Sequence, residues 1–178
     1  MIDPLLVLII SASLALLFFM AARHKMSEPL RFAGTLAAYR ILPEAMVPRT
    51  ARILPYLEMA VVFMILVPPT RPLAALAAAV LLAVYALAMG LNLARGRSDI
   101  DCGCGGQPQL LSPWLICRNL VLVAGCGLLL LPVADRRIAL ADALLLALMT
   151  AVLAMLYLMV EQLVRNHSLS LSRSSPNG

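Results

Sequence analysis

The chain has 178 residues, of which 62% are hydrophobic and 13% charged, and a formal net charge of +5. A water-soluble domain carries roughly 25% charged residues, so a chain with a mean hydropathy of +0.94 would have no polar shell left. The composition points to an integral membrane protein, and it excludes nucleic acid as the expected partner of the positive charge, because basic residues beside membrane helices face anionic headgroups.

A helix crosses the bilayer core in about 20 apolar residues. Taken in chain order, residues 4–22 are uncharged and long enough, and residues 53–70 qualify apart from Glu58. Residues 72–94 are an unbroken Leu/Ala/Val run, residues 113–132 are interrupted by Arg118, and residues 143–160 lie between Asp142 and Glu161. The first segment carries Asp3 and no basic residue ahead of its apolar run, so it reads as a helix rather than a signal peptide. Backbone in lipid must satisfy its own hydrogen bonds, and the strands of a barrel would alternate polar and apolar residues, which these runs do not. The expected fold is all-α, a polytopic membrane helix bundle with about five transmembrane helices.

Residues 23–52 form a connector, in which Arg23, Lys25, Arg31, Arg40, Arg49 and Arg52 are interspersed with Leu30, Phe32, Leu36, Tyr39 and Leu42. Those apolar positions recur at roughly helical spacing, which predicts an amphipathic helix along the membrane surface. Residues 1–165 read as a single helical-bundle domain and residues 166–178 as a Ser-rich, disordered tail. The Pro68-Pro69 and Pro72 cluster predicts a tight turn between the second and third spans.

The stretch with the most chemistry is Asp101-Cys102-Gly103-Cys104-Gly105-Gly106, a polar loop ahead of the fourth span. Two cysteines one residue apart can close on each other, exchange with a partner thiol, bind a metal or simply occupy a structural turn. A Cys-x-Cys disulfide closes a small, strained ring and is easily reduced. Gly103, Gly105 and Gly106 let the backbone close that ring and admit a second thiol. No metal is expected, because a zinc site wants about four ligands, while Cys117 and Cys126 lie in a span and His24 and His167 in distant segments. Ser112 and Pro113 read as the cap and first turn of the fourth span.

Within that span, Cys117 is a candidate resolving thiol near the membrane interface, and Cys126 reads as core. A charge inside a span is costly unless it snorkels or finds a partner. Arg118 and Asn119 are therefore candidate donors to a quinone carbonyl or an incoming partner. In a five-span bundle the starts of the second and fourth spans share one membrane side, which predicts a structural ion pair between Glu58 and Arg118. Asn92, Tyr85 and Tyr157 read as packing or interfacial residues.

The run from Asp101 to Gly106, followed by Ser112, Leu115 and Arg118-Asn119, resembles the MauE family of methylamine utilisation proteins. Lys25 after the first helix, a connector ending near Pro43 and Glu58 early in the second span are similar to the broader DoxX-like membrane family. The arrangement also resembles the vitamin K epoxide reductase family. It departs from that family in having Cys-x-Cys ahead of the helix rather than Cys-x-x-Cys opening it, and in having no cysteine in the connector. The MauE resemblance implies a role in maturing methylamine dehydrogenase, with Cys102 and Cys104 as a redox pair exchanging with the thioredoxin-like protein MauD and supporting disulfides in the exported small subunit. No cofactor is required by this reading, and a quinone is a candidate. The alternative is a non-catalytic membrane scaffold that anchors or stabilises MauD.

Orientation divides the two lines of inference. The connector and the thiol loop fall on one side, and the Lys/Arg count puts that side in the cytoplasm. Disulfide chemistry belongs to the periplasm, and the redox reading places the Cys102 loop there, in a multi-pass protein of the bacterial inner membrane.

Overall fold

The computed structural model describes residues 1–103, 109–135 and 139–173. It is all-helical: α1 (Pro4–Ser27), α2 (Pro29–Ala38), α3 (Val47–Leu66), α4 (Arg71–Ala94), α5 (Pro113–Leu128) and α6 (Leu140–Arg173). The five predicted spans appear as α1, α3, α4, α5 and α6, and the amphipathic connector as α2. The chain divides into two compact units, Met1–Arg136 and Arg137–Gly178. In the second unit α6 begins where Asp142 Oδ2 accepts from the Ala139 N–H at 2.8 Å. Its helical run continues to Arg173, beyond residue 166 where the sequence suggests a tail.

Local chemistry explains where the helices of the first unit start and stop. Asp3 caps α1 by accepting the Leu5 N–H at 2.8 Å, and Pro4 occupies the first turn, where its missing N–H costs nothing. The Pro68–Thr70 3₁₀ turn separates α3 from α4. Thr70 Oγ1 donates to the Met64 carbonyl at 2.7 Å and Arg71 Nε to the Ile65 carbonyl at 3.3 Å, covering the last carbonyls of α3. Pro113 opens α5 as expected, but the hydroxyl of Ser112, which holds the cap position, makes no capping hydrogen bond.

α3 packs between α1 and α4, α5 lies along α4 and also touches α1, and α2 rests on α3. One core layer is built from Val7, Leu14, Phe18, Val61, Ile65 and Leu82 against Ala74, Ala75 and Ala78. Ala74, Ala75 and Ala78 of α4 are fully buried, and their small side chains bring the helices close, as membrane interfaces require. The other end is closed by Tyr39, Met89, Ile100, Leu111 and Leu115, with Cys102 and Tyr85 packed against them. At the far end, Ile2 pairs with Val133 in a single bridge, joining the start of α1 to the segment after α5.

Many large apolar side chains face outward. Phe63, Val80, Leu87 and Val121 are each more than 60% exposed, a surface that water would drive to associate and lipid would not. α1 and the segment Pro68–Ala94 are long and apolar enough to cross a membrane, while α5 and residues Leu140–Leu156 are shorter apolar helices. The molecule is a membrane helical bundle.

Candidate functional site

The thiol loop sits on the same end of the bundle as α2, as the even number of crossings between them requires. Its neck is a short antiparallel pairing: Asp101 bridges Leu110, the Cys102 N–H donates to the Gln109 carbonyl at 2.8 Å, and the Leu111 N–H to the Ile100 carbonyl at 3.0 Å. Asp101 Oδ1 accepts from the N–H groups of Gly103 and Gln109, at 3.3 and 3.2 Å, on opposite sides of that neck. Its other oxygen accepts from Arg31 at 3.4 Å, and Arg31 in turn donates to Glu28 at 2.9 Å. The Glu28 hydrogen bond raises the Arg31 guanidinium above its ordinary range. Asp101 thus clasps the loop and ties it to α2.

Two further contacts hold the loop down. Tyr39 donates its hydroxyl to the Cys102 carbonyl at 3.1 Å. Gly103 has φ +68°, and a Cβ there would stand 3.0 Å from Thr35 Cγ2 and 3.6 Å from the Phe32 ring. Only a residue without a side chain can take that backbone region freely and lie this close to α2. Cys102 is left half-buried. Cys104, the second thiol of the pair, lies outside the described residues.

An open cleft is lined by Asp101 and Gly103 of the loop together with Lys25, Glu28, Arg31 and Phe32. Lys25 comes from the last turn of α1 and is 4% exposed; Glu58, from the middle of α3, is 0% exposed. The two form a buried salt bridge through Glu58 Oε1, which also accepts the Tyr85 hydroxyl of α4 at 2.6 Å. The Lys25 ammonium lies 5.3 Å from the centre of the Phe32 ring and 5.1 Å from that of Tyr85, so aromatic faces cover what the carboxylate does not. Glu58 Oε2 is buried and makes no hydrogen bond.

This arrangement corrects one expectation: the cation that meets Glu58 is Lys25 of α1, not Arg118 of α5. Lys25 reads in sequence as an interfacial charge trailing the first helix, but its side chain turns inward because α3 offers a carboxylate at that depth. Tyr85, expected to be a packing residue, is the hydroxyl donor that completes the cluster. A hydroxyl-bearing ring in an apolar run at the depth of Glu58 was the signal available for it.

The remaining candidates are dispersed. Asn119 is buried on the inner face of α5, where its Nδ2 makes no hydrogen bond, and Arg118 beside it is half-buried. Cys117 is exposed on α5 and Cys126 is in the core, so neither joins the packing around Cys102. Asn92 is fully buried, donating to the Ala88 carbonyl at 3.1 Å and accepting from Arg97 at 3.2 Å. The side chain of Tyr157 is outside the described set.

Residues 3–132 match the family model described as methylamine utilisation protein MauE. The methylamine utilization protein MauE of Paracoccus denitrificans is 41% identical over 126 residues, covering 70% of this chain and 68% of the relative. That of Methylophilus methylotrophus is 32% identical over 184 residues, covering 98% and 96%. That of Methylorubrum extorquens is 38% identical over 136 residues, covering 74% and 73%. No solved structure matches the chain. With its thiol loop and connector inside the matched region, the chain belongs to the MauE family.

Proposed function

We propose that this chain acts in methylamine utilisation as a multi-pass inner-membrane component of methylamine dehydrogenase maturation, supporting disulfide formation in the exported small subunit by thiol–disulfide exchange with the thioredoxin-like MauD. The observation that carries this is the anchoring of Cys102: its carbonyl is held by Tyr39 and its neighbours by Asp101, yet the residue stays half-buried rather than enclosed. Thiol–disulfide exchange needs a cysteine that is held in place and not fully buried, and Cys102 meets both conditions.

In the exchange, a MauD thiolate attacks the Cys102–Cys104 disulfide, a mixed disulfide forms, and the second MauD thiol displaces it. Two electrons pass from MauD to the loop, and oxidised MauD passes its disulfide to the small subunit. The chemistry places the loop in the periplasm. A quinone is the fitting oxidant for the reduced loop pair: Asn119 presents a buried Nδ2 without an acceptor, and Arg118 adds a second donor for a carbonyl. Bound there, it would supply two-electron oxidation.

The test is to replace Cys102 and Cys104 by Ser, singly and together, in cells making methylamine dehydrogenase. We expect the small subunit to lose its disulfides while the complex with MauD survives. Full disulfide content in the double variant would defeat the redox reading and leave the chain as a scaffold for MauD. A membrane-impermeant maleimide applied to intact cells should reach the loop thiols only after mild reduction. Labelling that needs lysis and no reductant would place them in the cytoplasm.

A further inference from the structure

The open cleft at the end of α1 is lined by charges of both signs, and they do not balance. Lys25 is already answered by Glu58. That leaves the Arg31 guanidinium between two carboxylates, Glu28 at 2.9 Å and Asp101 at 3.4 Å, so with His24 neutral the lining carries an excess negative charge. The Glu28 side chain is 56% exposed and that of Arg31 42%. Among the described residues Glu28 gives Oε2 to Arg31 and has no partner at its other oxygen. A second pattern leads to the same place. Leu16, Met20 and His24 follow one another at intervals of four along one face of α1. Leu16 is 41% and Met20 42% exposed, an apolar track along the helix surface that ends at a polar cleft.

We propose that this cleft binds the headgroup of a membrane phospholipid that carries a primary ammonium beside its phosphate, as an ethanolamine headgroup does. The ammonium stands against Glu28 and Asp101, offsets the excess negative charge and donates to the open oxygen of Glu28. The phosphate accepts from N–H groups of Arg31 that the carboxylates leave unused. The acyl chains run down the Leu16 and Met20 track. Other headgroups suit the lining less well. A glycerol headgroup brings only negative charge, which basic pockets take and this one repels. A choline headgroup has no N–H to donate, and a quaternary ammonium is recognised by open aromatic faces. Phe32 is 8% exposed and its ring already lies 5.3 Å from the Lys25 ammonium. No sulfur takes part in this binding, so the inference stands apart from the thiol chemistry above.

The full chain, purified in detergent and stripped of lipid, is titrated with phosphatidylethanolamine, phosphatidylglycerol or phosphatidylcholine of the same acyl chains, and binding is read by native mass spectrometry. We expect phosphatidylethanolamine to bind about tenfold more tightly than either of the others, the difference that a charge-assisted hydrogen bond makes. Glu28→Gln keeps an oxygen for Arg31 but removes the charge. It should melt like the wild type and lose this preference. Glu44→Gln, at an exposed carboxylate outside the cleft, should keep it. Equal affinity for the three lipids or a preference for phosphatidylglycerol overturns the proposal. So does a preference that survives in folded Glu28→Gln, or one that Glu44→Gln abolishes equally. Two soluble probes, phosphoethanolamine and methylammonium, separate the sources of the ammonium. If either raises the melting temperature as much as the lipid does at equal concentration, the cleft takes a soluble ammonium and the lipid assignment fails.

Discussion

Removing one member of the Lys25–Glu58 pair strands the other as a buried, uncompensated charge. Breaking a buried pair in this way costs about 3–5 kcal/mol, so Lys25→Met or Glu58→Leu alone should lower the melting temperature sharply, whereas the two together should restore most of it. Tyr85→Phe takes one hydrogen bond from Glu58 Oε1 and leaves the ring over Lys25. It should cost about 1.5–3 kcal/mol, the range for a hydrogen bond to a charged group, measured by the same melts. Gly103→Ala meets two obstacles at once, the left-handed backbone and the 3.0 Å approach to Thr35. A left-handed non-glycine residue costs roughly 1–2 kcal/mol, so the loop should lift from α2, and Cys102 should alkylate faster while the melting temperature of the bundle hardly moves.

The helices themselves were legible in the sequence because each is announced by a chemistry that needs no partner: unbroken apolar runs, Pro in the first turn, and the Pro68-Pro69 break between α3 and α4. The shared side of the thiol loop and α2 followed from counting crossings. What sequence could not supply was the direction of individual side chains. Glu58 stood out as a carboxylate in an apolar run, but which of several cations would reach it depends on how α1 is rotated against α3, and rotation is set by packing. The Asp101 clasp was hidden for a similar reason, since it depends on residues 103 and 109 closing a loop around one carboxylate oxygen. Packing between helices is also where a small change should be felt most. Ala78 is fully buried in the core, and Ala78→Leu should cost about 1–3 kcal/mol by overpacking, read as a lower melting temperature.

At the scale of the whole molecule, the structure alters the meaning of the charge count. Lys25 at the thiol end is engaged inside the fold with Glu58, and Arg97 is half-buried against Asn92, while Arg31 pairs with Glu28 and Asp101 at the surface. The cations left facing outward there are Arg23, Arg31, Arg40, Arg49, Arg52 and Arg95, and the tally that favoured a cytoplasmic loop loses Lys25 and part of Arg97. Since Ile2 and Val133 mark the opposite end, a cysteine introduced at Asp3 should label from the face opposite to Cys102. The buried pair also has a consequence for how the chain is made. Lys25 precedes Glu58 by 33 residues, so α1 leaves the ribosome and meets lipid before its counter-charge has been synthesised. Until α3 arrives, Lys25 has to wait at the headgroups, which keeps α1 shallow and makes its final depth contingent on its later partners. A nascent chain stalled after α2 should therefore be an unfinished insertion product, open to membrane quality control, whereas one stalled after α4 should already resist it.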